Sequence, residues 1–218
     1  MLTHEQARAF YDRLGSRQDW QRFFENPAVA DLIEHVACDA AESLFEFGCG
    51  TGRFAEMLLE RHLPPTAHYL AVDISTTMVE LARQRLARFG PRVEVRLNRG
   101  DTVLDMAANT CDRFLSTYVL DLLSTDDIRS LVMEARRALC AGGLLGLVSL
   151  THGCTPGARL IEKLWVAVHS FRPSLVGGCR PVVLAEFVGR PHWRMRHRRQ
   201  ITRFGISSEV VVAEKVSA

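Results

Sequence analysis

The chain has 218 residues, of which 47% are hydrophobic and 24% charged, with a net charge of +2. That is enough apolar material for one domain with a full core, and the balanced charge argues against a nucleic-acid footprint spread over the surface. No apolar run approaches the roughly 20 residues that span a bilayer, and the opening MLTHEQARAF lacks the basic start and apolar core of a signal peptide.

Residues 3–14 and 17–25 pattern as two short helices, with Phe10, Tyr11 and Leu14 on one face of the first and Trp20, Phe23 and Phe24 on one face of the second. Asn26-Pro27 is a cap followed by proline at a first helical position, which predicts a third helix to about Cys38. These helices precede the first strand, so residues 1–40 form either a cap over the carboxyl edge of a sheet or a cover for one of its faces. A short apolar run at 44–47 then meets glycines 48, 50 and 52, and an amphipathic helix over 52–62 follows at once. Strand, glycine turn and helix in that order open an α/β sheet and offer bare backbone to an anionic or nucleotide-like ligand.

Pro64-Pro65 breaks the helix, residues 67–72 form a second strand ending at Asp73, and Ser75 caps a helix whose apolar positions run to Phe89. Residues 93–97 alternate apolar and charged, as an edge strand does. Residues 112–119 give a fourth strand, and 124–139 a helix with Ser124 and Asp127 as a capping pair. A glycine turn at 141–143 leads into the continuous apolar run 144–150, a central strand. A helix from Thr155-Pro156 to about Phe171 and a short one over 181–188 follow. Residues 193–201 and 206–216 are then strands joined tightly enough to be antiparallel. The predicted fold is therefore α/β, a three-layer, doubly wound, mostly parallel seven-stranded sheet closed by an antiparallel hairpin.

The glycine turn discriminates between ligands. The dinucleotide fingerprint needs a small residue three places after its second glycine, and that place holds Arg53. The spacing is instead E-x-G-x-G-x-G from Glu46 to Gly52. With FEFGCGTG, then YLAVDIS, RGD and STYVLDLL, the chain resembles the class I S-adenosylmethionine (SAM) dependent methyltransferases over residues 43–151, and the terminal hairpin resembles theirs more loosely.

The resemblance implies SAM as cofactor and S-adenosylhomocysteine (SAH) as product. It assigns Glu46 and the turn residues Gly48, Cys49, Gly50 and Gly52 to the methionine end, the turn offering its N–H groups. Asp73, which follows Gly52 by 21 residues, takes the ribose hydroxyls, with Ile74 on the adenine and Asp101 and Thr102 at its edge. Ser116 and Thr117 face the methionine portion, and Tyr118 lies near the transferred methyl, unless it is a core aromatic. Structural readings stand beside these roles: a carboxylate at a helix start for Asp73, and an ordinary turn pair for Gly100-Asp101.

Methyl transfer needs alignment more than a fixed triad, and none is visible. The leading reading is a small-molecule methyltransferase acting on O or N, a monomer or homodimer. The alternatives are an aminopropyltransferase-like enzyme, for which Asp121 is the one supporting acid, and a non-catalytic SAM-binding regulator. Acceptor contacts are expected from Tyr11 and from the insertion at 151–191, with Arg172 and with Trp165 and His169, which are four apart on one helical face and either line an acceptor pocket or are simply core. Tyr118 and His152 are candidate catalytic residues, and a turn histidine facing water is the plain alternative for His152. Six scattered cysteines without a C-x-x-C pair fit reduced thiols and a cytoplasmic location. The eight histidines include no H-x-x-x-H pair on a helix, so no metal is expected. Arg194, Arg196, Arg198 and Arg199 alternate with Trp193, Met195 and His197, which on a regular strand puts three arginines on one face, solvated or anion-binding.

Overall fold

The computed structural model describes residues 3–14, 22–154, 157–158 and 179–216. Its apolar runs pair into one sheet of seven strands: β1 (Ser43–Phe47), β2 (His68–Asp73), β3 (Val93–Leu97), β4 (Cys111–Thr117), β5 (Leu139–Leu150), β6 (Trp193–Arg203) and β7 (Ile206–Lys215). The order across the sheet is β3-β2-β1-β4-β5-β7-β6. The first five are parallel, and β7 runs antiparallel between β5 and β6. Around it lie α1 (His4–Leu14), α2 (Arg22–His35), α3 (Arg53–Arg61), α4 (Thr76–Leu86) and α5 (Thr125–Ala138).

Side chains alternate through the sheet into two cores. Leu44, Val210 and Val212 join Leu32, Leu58, Val79 and Leu86 on the face covered by α2, α3 and α4. Phe45, Phe114, Leu145 and Val211 join Ile128 and Leu131 of α5 on the other. Each fully buried leucine contributes about 2 kcal/mol of hydrophobic stabilisation. Gly146 lets α2 approach, since a Cβ there would lie 2.8 Å from Leu32 Cδ1 and 2.7 Å from Leu115 Cδ2. The buried Arg113 guanidinium of β4 reaches the carbonyls of Val36 (2.7 Å) and Ala37 (2.8 Å), satisfying acceptors just past the carboxyl end of α2.

Two described α-helices precede the first strand. Helix α1 packs beside the start of α4, where Arg8 donates to Thr76 Oγ1 at 3.0 Å. Helix α2 covers the sheet face instead, burying Ala28 and Leu32 completely. It runs straight through Pro27, so the boundary expected at Asn26-Pro27 is absent. Burial of the following turns outweighs the one hydrogen bond that proline removes.

Other local expectations also shift. The turn foreseen at 141–143 is taken into β5, which pairs Leu139 with Cys111 and resumes at Leu144 opposite Arg113. The β3–β4 connection, residues 98–110, carries no helix, so the strand–helix alternation is interrupted there. Within 181–188 only the 3₁₀ turn Leu184–Glu186 forms. The helix expected over 155–171, with Trp165 and His169, lies almost wholly outside the described residues, as does Arg172.

The arginine strand does not present a regular face. A bulge between Met195 and His197 shifts the register, so Trp193 packs into the α5 core while Ile201, an even number of residues on, packs into the α2 core. Arg198 pairs with Glu209 at 2.7 Å, and Arg194 and Arg196 share Glu214. His197 Nε2 and Arg199 both bind the buried Asp31 carboxylate, at 2.6 and 2.8 Å. The His197 ring stacks on that of His35 at 3.5 Å and 10°. Asp31, His35 and His197 are metal-ligand types within reach of one another. Parallel stacked rings send their lone pairs along parallel planes that do not converge on one ion, and Arg199 already occupies the carboxylate. The cluster is a clamp between α2 and β6.

Candidate functional site

The carboxyl ends of β1, β2 and β4 converge beside the glycine turn, the crevice where open α/β sheets bind ligands. Gly48, Gly50 and Gly52 all have positive φ (81°, 52° and 76°). At Gly48 a side chain is also excluded by space, since a Cβ would lie 2.3 Å from Val119 Cγ2. The turn does not hold its N–H groups out to a ligand. Gly48 and Cys49 donate to the Val72 carbonyl (2.8 and 3.0 Å), Gly52 to Cys49 (3.0 Å) and Gly50 to Asp73 Oδ2 (2.8 Å). The reading of offered N–H groups is corrected accordingly: those of Gly48, Cys49, Gly50 and Gly52 are bonded within the fold.

Two cavities open on either side of Gly48, Thr117 and Tyr118. The first encloses about 810 Å³ including its open mouth, between Asp73, Ile74, Asn98, Thr102, Leu122 and Leu123 on the sheet side and Ala7 and Tyr11 of α1 above. The second, about 1330 Å³ on the same measure, is more polar, with Glu46, Cys49, Thr51, Arg53 and Arg85 in its wall. Asp73 is fixed from both sides, Gly50 N donating to Oδ2 and Ser75 N to Oδ1 at 2.9 Å. Burial nonetheless pushes its carboxyl up, against the pull of those N–H groups.

Glu46 is 1% exposed and accepts the Tyr69 hydroxyl at 2.7 Å. Burial pushes its carboxyl up to about 7; the Tyr69 bond pulls it down and the nearby Asp73 charge raises it further. The wall of the second cavity carries acids and bases together, Glu46, Glu56 and Glu60 with Arg53, Arg61 and Arg85. Burial also drives the Cys49 thiol far up, so it is a neutral wall residue and no nucleophile.

Not every residue singled out in the sequence reaches a cavity. Ser116 is fully buried and ties β4 to β1 by donating to the Phe47 carbonyl at 2.8 Å. Gly52 starts α3 and packs against Ala82. Asp101 is exposed and lies outside both linings, while its neighbours Gly100 and Thr102 line the first. His152 is exposed and lines neither, its carbonyl accepting from the Gln200 side chain. Tyr118 lines both, sits at φ 57°, and shares a 2.9 Å hydrogen bond with Ser208 of β7. A non-glycine residue in the left-handed region at a cleft floor is held there by its surroundings.

Several contributors were not foreseen. Tyr69 had a signal: a carboxylate buried at Glu46 needs a donor, and Tyr69 lies on the neighbouring strand with its side chain on the same face. Asp12 had none, because its partners Ser75 and Thr77 are 63 and 65 residues away.

A sheet in this order, a glycine turn after β1, an acid after β2 and a cleft across their ends make up the Rossmann-like methyltransferase fold. Residues 44–143 match the family model of a methyltransferase domain. Over 136 residues it is 31% identical to a trans-aconitate 2-methyltransferase of Azoarcus sp., covering 62% of this chain and 50% of that protein. Over 126 residues it is 29% identical to a carboxy-S-adenosyl-L-methionine synthase of Aeromonas salmonicida, covering 55% and 50%. The chain thus spans about half the length of these curated relatives. In fold it matches the N-methyltransferase NodS of Bradyrhizobium japonicum in complex with SAH, with a TM-score of 0.69, 16% identity and coverage of 97% and 99%. No helix among the described residues is long and apolar enough to cross a membrane.

Proposed function

We propose that the protein binds SAM in this cleft and transfers its methyl group to an O or N atom of a small-molecule acceptor. The observation that carries the reading is Asp73, pinned by Gly50 and Ser75 in the wall of the first cavity, one strand away from the buried Glu46. The donor set fits the group. The Asp73 carboxylate keeps acceptor capacity for a ribose hydroxyl, Ile74 and Leu122 offer apolar walls to an adenine, and Thr102 lies at its edge. Glu46, in the wall of the second cavity, is the carboxylate that would neutralise a methionine ammonium.

When bound, SAM supplies an activated methyl, whose bond to sulfur breaks as the acceptor's lone pair forms the new one and the sulfonium pair stays on sulfur. The protein's share is alignment and exclusion of water, and orientation contributes on the order of 7–11 kcal/mol. Tyr118, between the two cavities, is the side chain placed to orient the acceptor, with its phenol anchored on Ser208. A base is needed only for an acceptor that must lose a proton; His152, exposed and outside both linings, reaches that role only through the insertion at 151–191, which we assign to the acceptor side. Asp121 is fully buried and outside the cavity linings, which weighs against a polyamine grip and hence against the aminopropyl alternative.

Calorimetry with SAM, SAH and NAD tests the reading. SAH should bind in the micromolar range or tighter, and tight NAD binding with none for SAH overturns it. A donor-turnover screen over small O, N and C acceptors then identifies the substrate, and unchanged turnover after shortening residues 155–180 removes that segment from the acceptor site.

A further inference from the structure

Helix α1 is joined to the cleft by one continuous run of hydrogen bonds. Asp12 Oδ1 accepts the Ser75 hydroxyl at 2.5 Å and the Thr77 N–H at 3.2 Å. The same Ser75 oxygen caps α4 by accepting Met78 N at 3.1 Å. Ser75 N donates to Asp73 Oδ1, and Asp73 Oδ2 accepts Gly50 N. The chain Asp12–Ser75–Asp73–Gly50 therefore links a helix outside the sheet, the carboxylate in the cavity wall and the glycine turn. On the same helix, Ala7 and Tyr11, the latter next to Asp12, form the outer wall of the cavity, opposite Asp73 and Ile74.

We infer that Asp12 is a positioning residue that latches α1 as a lid over the nucleoside end of the cleft, so that lid closure and cofactor binding favour one another. The inference rests on reading this cleft as the SAM site. A nucleoside held by Asp73 fixes that carboxylate, which fixes the Ser75 backbone and with it the hydroxyl that Asp12 accepts. The closed lid in turn holds Tyr11 and Ala7 against the bound group. Coupling of this kind is reciprocal: the factor by which closure tightens the ligand is the factor by which the ligand tightens closure. Asp12 suits the task for a second reason. Its carboxylate lies against the first turn of α4, where N–H groups lack helical partners. Burial raises its carboxyl, but the bonds from Ser75 and Thr77 and the Arg8 charge outweigh this and leave it below the ordinary range, so the latch is ionised at neutral pH.

The test compares wild type with Asp12→Ala and Asp12→Asn, by amide hydrogen exchange over residues 4–12 with and without SAH and by SAH titration. Without ligand, Asp12→Ala should exchange faster in α1, while Asp12→Asn, which keeps an acceptor oxygen, stays close to wild type. SAH should slow α1 exchange in wild type but not in Asp12→Ala, whose SAH affinity drops about fivefold or more. Asp12→Asn should recover most of that affinity, a rescue that mere loss of stability would not give. Ligand-free α1 exchange unchanged by Asp12→Ala overturns the latch. Equal SAH affinity and equal SAH protection in Asp12→Ala overturn the coupling. Failure of the wild type to bind SAH overturns the cofactor reading instead, and the ligand-free comparison still decides the latch.

Discussion

Glu46→Gln keeps the shape of a buried side chain and removes its charge, which makes Glu46 the sharpest probe of the cleft. Burial raises this carboxyl from an ordinary 4.5 to about 7. A folded-state value above the unfolded one means that its contribution to stability is complete below 4.5 and is lost as pH rises through 7. The distance between the two values corresponds to about 3 kcal/mol. Urea unfolding between pH 4.5 and 8 should therefore show a decline that Glu46→Gln reduces by about that amount. Part of the slope will remain, because burial also pushes Asp121 up to about 7, and Asp121→Asn removes that part separately. Binding reads the same group from the other side. A ligand ammonium beside Glu46 favours its ionised form, so SAH binding releases a proton below pH 7 and its affinity falls about tenfold per pH unit there, levelling off above. Titrations at pH 6 in buffers of different ionisation enthalpy count that proton. In Glu46→Gln the affinity should be lower and its pH dependence flat. Wild-type pH slopes retained in both unfolding and binding would refute the reasoning.

Three further outcomes are expected. Gly48→Ala combines a positive φ with a 2.3 Å approach to Val119 and should destabilise the fold by about 2–4 kcal/mol in thermal unfolding; adding Val119→Ala should relieve the contact part and leave the backbone part. Asp73→Ala should weaken SAH at least tenfold, about 1.4 kcal/mol by calorimetry. Ser124→Ala removes the side-chain acceptor of Asp127 N at 3.0 Å and should cost about 1 kcal/mol, read by denaturant unfolding.

The sheet was legible because its strands are short apolar runs bounded by glycine, proline and caps, and those signals are local. Thus Ser75 and Ser124 do cap α4 and α5, each accepting a backbone N–H with its hydroxyl, and β3 does lie at an edge. Where several residues had to act together over distance, the sequence was silent or misleading. Pro27 reads as a helix start, but the helix before it continues, because packing on the sheet decides the matter. The arginines of β6 alternate in sequence, yet a bulge at Arg196 reverses the phase of the strand halfway along. In the cleft, the acids at strand ends were readable from spacing, whereas the occupation of the turn's N–H groups by Val72 and Asp73 depends on how β1 and β2 sit side by side.

The placement of β7 bears on how the molecule is made. β5 and β6 do not touch as neighbours; β7 lies between them, and it is the last strand in sequence. Until residues 206–215 leave the ribosome, β5 has an open edge and β6 has no sheet to join. Val210 and Val212, which complete the packing of α2, are missing as well. Helix α2, which must lie on this face, precedes every strand in the sequence and is among the last elements to find its seat. Between the emergence of β5 and that of β7 the growing chain carries an exposed central strand, and that interval is when it is most prone to pair with another chain.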